Sequence, residues 1–166
     1  HLLKKAKVIV DLGCAPGGWL QIAREKAGAK AKIIGIDLLE IAALPDVSFL
    51  QGDFTKDEVV AKLEEMLPTS IDLIMSDMAA NSCGNKEVDY LRNITLVELA
   101  FEFTQKHLIE GGNFIAKVFR CGREQQLFND LRPHFQSTKQ FKPNASYSSS
   151  AEVYFVGIGF KRPKTS

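Results

Sequence analysis

Four acids and one lysine stand where chemistry could be done. Asp11, Asp37, Asp53 and Asp77 each lie at the end of a short apolar run. Lys117 interrupts another run, Phe114-Ile115-Ala116-Lys117-Val118-Phe119, on a strand expected to be buried on both faces. An unpaired ammonium there is costly, so Lys117 calls for a carboxylate partner. Asp77 is the first candidate. Glu152, just ahead of Val153-Tyr154-Phe155-Val156, could reach the same point. A lysine held this way can take a proton from a bound hydroxyl, or stay charged and stabilise an alkoxide. The structural alternatives are a lysine snorkelling from a strand end, and acids that merely cap helices or form turns.

Asp11 leads into a glycine-rich turn, Gly13-Cys14-Ala15-Pro16-Gly17-Gly18, with Trp19 next. Glycines let backbone pass close to a ligand. The spacing is not the GxGxxG fingerprint, and no Gly-Lys-Ser/Thr ending makes it a P-loop. A pyrophosphate would want amide donors and often a basic residue, whereas this set offers acids. Acids suit a cationic ligand rich in donors: a sulfonium with an amino group, ribose hydroxyls and an adenine amine. Asp37, with Leu38 beside it, is placed for the ribose hydroxyls. Asp53, followed by Phe54, is placed for the adenine amine. Gly13, Pro16, Gly17, Gly18 and Trp19 complete the candidate ligand site, although Trp19 could equally be a core aromatic under a sheet.

These residues meet only if the runs that carry them lie side by side. Strands are expected at Lys7–Leu12, Ala31–Ile36, Val47–Leu50, Ile71–Ser76, Asn113–Phe119, Thr138–Phe141 and Val153–Phe160. Helical spacing marks Trp19–Ala27, Lys56–Leu67, Val88–Leu108 and Arg123–Phe135. Gly111-Gly112 is expected to close the long third helix, and Pro133 to interrupt the last. Strands alternating with helices argue for an α/β fold, a parallel sheet covered on both faces. Ligands then sit outside the carboxyl ends of the strands, where the polar residues fall. The last two strands have no helix between them and read as an antiparallel hairpin, joined by the Ser-rich loop Lys142–Ala151.

The rest of the composition narrows the class. The chain has 166 residues, 45% hydrophobic and 25% charged, which fits one globular domain. A formal net charge of +1 shows no global basic field, so any RNA-binding surface must be local. No apolar run nears the ~20 residues of a membrane span. Cys14, Cys83 and Cys121 lack metal-ligand spacing and read as free buried thiols. The start, His1-Leu2-Leu3-Lys4-Lys5, has no apolar segment of a signal peptide. It is not a methionine and a strand follows almost at once, which reads as a piece of a longer protein.

Five segments stand in order: Asp11-Leu12-Gly13-Cys14-Ala15-Pro16-Gly17-Gly18-Trp19, Gln51-Gly52-Asp53-Phe54, Ser76-Asp77-Met78-Ala79, Lys117-Val118-Phe119 and Glu152-Val153-Tyr154. With them the chain, from about Leu3 to Phe160, resembles the FtsJ-type ribosomal RNA 2′-O-methyltransferases. The resemblance implies a Rossmann-like methyltransferase fold with a mostly parallel seven-stranded sheet, an antiparallel C-terminal hairpin and helices on both faces. It implies S-adenosyl-L-methionine as cofactor and a ribose 2′-hydroxyl of large-subunit ribosomal RNA, a 23S uridine, as acceptor. No metal and no membrane are expected, and the chain is expected to act as a single-domain monomer in the cytoplasm, or in an organelle of a eukaryotic source. The family uses a Lys-Asp-Lys-Glu tetrad. Its aspartate falls on Asp77, its second lysine on Lys117 and its glutamate on Glu152. Its first lysine belongs to a basic helix ahead of the first strand, which this sequence is expected to lack; Lys4, Lys5 and Lys7 lie too close to the strand to replace it. Two positions depart from the pattern: Ala80 stands where a proline is usual, and Tyr147 where an arginine is common. Other readings stay open at this point: a methyltransferase for another RNA or a small molecule, a nicotinamide-linked dehydrogenase, and a non-catalytic RNA-binding ribosome-assembly factor.

Overall fold

The computed structural model describes residues 2–79, 82–142 and 152–164. After a short helix α1 (Leu2–Lys5), four strands follow in the expected places: β1 (Val8–Leu12), β2 (Lys32–Asp37), β3 (Val47–Gln51) and β4 (Ile71–Ser76). Helix α2 (Gly18–Lys26) joins β1 to β2, and α3 (Asp57–Met66) joins β3 to β4. Helix α4 (Lys86–His107) leads into β5 (Leu108–Phe119), and α5 (Glu124–Leu131) precedes β6 (Phe135–Phe141) and β7 (Glu152–Phe160). They form one seven-stranded sheet in the order β3-β2-β1-β4-β5-β7-β6. The first five strands of that order are parallel, and β7 runs antiparallel to both its neighbours. The α/β architecture, its strand count and its antiparallel end are as the sequence implies.

The central strands read as unbroken apolar runs because both their faces are covered. On one face, Ile9, Ile33 and Leu73 pack with Leu20 and Ala23 of α2. On the other, Ile34, Ile74 and Phe114 pack with Leu63, Ile94, Val97, Phe103 and Leu127 of α3, α4 and α5. Phe114, Phe155 and Phe160 are among the largest fully buried side chains. Each such burial stabilises by roughly 1.5–3 kcal/mol. Among the described residues, no helix is long and apolar enough to cross a membrane.

Three expectations need correction. Gly111-Gly112 does not close α4, which ends at His107; both glycines lie inside β5. There the pairing with β4 steps from Ile71↔Leu108 to Leu73↔Asn113, so an advance of 2 residues along β4 matches an advance of 5 along β5. Gly111, at φ 83, takes up this irregularity, because a left-handed residue is cheap only without a Cβ. Next, the last helix stops at Leu131. Pro133 cannot continue an α-helical ladder, so Arg132–His134 tightens into a 3-10 turn. Phe135 then opens β6 instead of ending a helix, buried against Phe101 and Phe160. Finally, only Cys14 is a buried thiol; Cys83 is exposed and Cys121 half-buried.

Strand β5 closes one face and leaves the other partly open: Phe114, Ala116 and Val118 are buried, while Ile115, Lys117 and Phe119 are intermediate. Truncating Phe114 to alanine is therefore expected to cost about 3–5 kcal/mol in urea unfolding, and truncating Ile115 roughly half of that or less.

Candidate functional site

The carboxyl ends of β1 to β4 open onto two adjoining hollows. The larger, about 230 Å³, is lined by Gly13, Asp37, Leu38, Asp53, Phe54 and Asp77 among others. The smaller, about 110 Å³, is lined by Asp11, Gly13, Cys14, Pro16, Gly18, Trp19 and Asp77 among others. Asp77 and Gly13 line both. Of the sequence candidates for ligand binding, Gly17 alone lines neither. It lies in the left-handed region at φ 114 and is the residue that caps the start of α2. Gly13 is required by its surroundings: at φ 75, a Cβ on it would fall 2.7 Å from the Met78 backbone. The turn after β1 thereby lies flush on the segment after β4.

Asp37 does two things at once. Its Oδ2 accepts the Ala15 N–H at 2.8 Å and its Oδ1 accepts the Leu39 N–H at 2.9 Å. It thus ties the glycine turn to the loop after β2, and each oxygen keeps a further lone pair for a ligand. Asp53 Oδ1 accepts the Thr55 hydroxyl at 2.7 Å and the Thr55 N–H at 2.9 Å, and these bonds hold its carboxyl below the usual range. Phe54 is buried edge-on against Phe103, while Leu38 stays exposed at the rim. Trp19 combines both of its readings: it packs against the α2 core and lines the smaller hollow.

Lys117 and Asp77 meet. Nζ lies 2.5 Å from Oδ1. The expectation that Lys117 sits on a strand closed on both faces is corrected: it lies on the half-open side of β5, with 16% of its side chain exposed. Alternation along the strands puts Lys117, Phe119, Tyr154 and Glu152 on one face. Lys117 is paired with Tyr154, and Phe119 with Glu152. The Lys117 ammonium also sits 5.6 Å from the Phe119 ring centroid. That ring stacks on Tyr90 of α4 at 5.0 Å. Burial, then the charges of Asp77 and Glu152, push the Tyr154 phenol up.

Two groups escape a sequence reading. Asn93, buried on α4, donates to the Met78 carbonyl at 3.2 Å and accepts from the Phe119 N–H at 3.0 Å. It stitches the segment after β4 to the end of β5, one residue beyond Asp77 and two beyond Lys117. Its sequence signal is a lone amide among the apolar residues Ile94 and Val97. Asp11, noticed only as a strand-end acid, is fully buried, and neither carboxylate oxygen has a hydrogen-bond partner. Burial, then repulsion from Asp77 and Asp37, drives its carboxyl well above the ordinary range. Burial, Asp11 and Asp37 likewise push the Cys14 thiol up to about 12. Ala80 and Tyr147, the two departures noted in the sequence, lie outside the described residues.

The model of the FtsJ-like methyltransferase family matches residues 1–160. The ribosomal RNA large subunit methyltransferase E of Azorhizobium caulinodans is 48% identical over 164 residues, covering 97% of this chain and 68% of its own. The protein of that name from Xanthobacter autotrophicus is 48% identical, covering 97% and 65%. The chain thus spans about two thirds of the length of these relatives. A solved Plasmodium falciparum structure, described as a ribosomal RNA methyltransferase, superimposes with a TM-score of 0.81 at 35% identity, covering 95% of this chain and 88% of that one. A Streptococcus mutans methyltransferase structure in complex with SAH shares the fold at a TM-score of 0.61 and 10% identity, covering 96% and 93%.

The site makes two predictions. Asn93→Leu, which leaves Met78 O and Phe119 N–H buried without their partner, should cost about 2 kcal/mol or more in urea unfolding. Asp11→Asn should change the pH dependence of stability. With a raised carboxyl, native Asp11 adds most stability below the unfolded value near 3.8 and loses it as pH rises toward the folded one. The melting temperature of Asp11→Asn relative to the unaltered protein should therefore climb as pH rises above about 4. A flat difference would show that Asp11 carries no titration penalty.

Proposed function

The chain belongs to the FtsJ-like methyltransferase family, and from that premise we propose that it moves a methyl group from S-adenosyl-L-methionine to a ribose 2′-hydroxyl of ribosomal RNA, at a uridine of the large-subunit 23S RNA. The observation that carries the reading is the Lys117–Asp77 ion pair, whose carboxylate lines both hollows. An enzyme that methylates a small molecule on this fold needs the donor site but has no need of an amine on the neighbouring strand.

The residues fit the donor. No lysine, arginine or histidine is among the described residues lining either hollow; carboxylates and apolar groups fill that role. A positive ligand also relieves the repulsion among Asp11, Asp37 and Asp77. Asp37 would hold the ribose hydroxyls and Asp53 the adenine amine, with Leu38 and Phe54 against the ring. Gly13, Pro16, Gly18 and Trp19 would border the methionine end. A Cβ on Gly18 would meet nothing within 4 Å, so the chain leaves open space there. When bound, the donor supplies a methyl already activated by its positive sulfur.

The chain's own work is alignment and charge. Lys117 would take the proton of the acceptor 2′-hydroxyl as that oxygen forms its O–C bond and the methyl–sulfur bond breaks, leaving a neutral thioether. Kept charged beside Asp77, it would instead stabilise the oxygen's growing negative charge while the proton passes to water. Asp77 fixes the direction of that amine. Glu152, on the same face, orients the acceptor ribose. The RNA is met within the large ribosomal subunit by a monomeric, single methyltransferase domain spanning residues 1–166, in the cytoplasm or in an organelle. The names of the relatives and the match to the family support this acceptor.

Mapping 2′-O-methyl marks on ribosomal RNA from cells lacking the protein should show one 23S uridine unmethylated, and labelled donor plus protein should restore it. Lys117→Ala should lower kcat at least about 10²-fold and leave donor affinity within about threefold. Turnover that survives the substitution would remove Lys117 from the reaction.

A further inference from the structure

One row of the sheet runs outward from Lys117. The strand registers pair Lys117 with Tyr154, and Tyr154 with Phe141 of β6. Directly paired residues share a face, so all three point the same way. Tyr154 holds rings on two sides: Trp19 at 5.7 Å and Phe141 at 5.5 Å, the latter within 21° of parallel. Three rings thus form a continuous strip. It begins at the glycine turn, passes the Lys117–Asp77 pair and ends at the outer strand.

The strip ends in the open. Phe141 is 43% exposed, the last residue of the last strand in the sheet. A cross-strand aromatic pair can steady a sheet, yet this one leaves the Phe141 ring partly exposed, one strand beyond the Tyr154–Lys117 pairing. The Tyr154 phenol, by contrast, lies in the field of Asp77 and Glu152. The strip therefore runs from Trp19 on the wall of the smaller hollow, through Tyr154 next to Lys117, to a ring at the surface. Aromatic faces on an open sheet are what unstacked bases of single-stranded RNA settle on. Lys139, exposed two residues back on the same face of β6, supplies a positive charge for the phosphates.

We propose that Phe141, backed by Tyr154, is a stacking platform for a base flanking the nucleotide whose 2′-hydroxyl meets Lys117, in a single-stranded stretch of the acceptor. This rests on RNA as the acceptor and adds where the strand leaves the site. Phe141 is a positioning residue and touches no reacting atom.

Trp19 is the only tryptophan in the chain, so its fluorescence reports on the strip. Titrating the protein with a short oligouridylate should quench it. Phe141→Ala and Phe141→Leu should each weaken that binding roughly 5- to 100-fold, while Phe141→Tyr should stay within about twofold. Melting temperature and S-adenosylhomocysteine affinity should not move. In methyl transfer to ribosomal RNA, Phe141→Leu should raise KM for RNA and leave kcat within about twofold. Wild-type-like oligouridylate binding by Phe141→Leu overturns the platform, as does a native protein that binds no oligouridylate. If the native protein binds oligouridylate through Phe141 but methylates no RNA, the platform stands and the acceptor assignment falls.

Discussion

An ammonium set into a β-sheet survives only beside a carboxylate, and that constraint organises this molecule. Ser76 of β4 is paired with Ala116 of β5, so the next residues on the two strands, Asp77 and Lys117, come level. The parallel neighbouring of β4 and β5 is what creates the pair. Asn93 then locks the two strand ends together through Met78 and Phe119. Taking both charges out of water is unfavourable, and an apolar pair of the same volume would serve stability as well or better. The pair is therefore best understood through its place at the rim, where Asp77 lines both hollows and Lys117 lies on the half-open side of β5.

The same logic explains what could be read from the residues alone. Strands covered on both faces must be apolar throughout, so β1, β2 and β4 stand out, and the acids that end them mark one edge. Lys117, Asp77, Asp37 and Asp53 were legible because charge at the end of an apolar run has few cheap explanations. The boundaries that misled were set by tertiary context. Leu108 could extend a helix or open a strand, and pairing with Ile71 decides for the strand. Phe135 follows helical spacing, but Pro133 breaks the ladder and the pocket between Phe101 and Phe160 takes the ring.

Contacts that depend on register were not legible. Nothing in the spacing of Trp19, Phe141 and Tyr154 announces that their rings touch; the order β5-β7-β6 does that. Nor can a sequence show that Asp11 has no partner, since isolation is a property of everything around it. The alternation that leaves Lys117 half-open likewise depends on where α4 and α5 cover β5 and where, among the described residues, no helix covers its other face as fully.

Cys14 stands in the glycine turn on the wall of the smaller hollow. A thiolate is a strong nucleophile, whereas a thiol is not. With its pKa driven to about 12 by burial and by Asp11 and Asp37, the sulfur keeps its hydrogen at any physiological pH. Burial first, and then Asp11 and Asp37, thus keep this sulfur in its unreactive form. A soft, polarisable side chain is thereby held on the wall of the hollow as a packing group and a poor nucleophile.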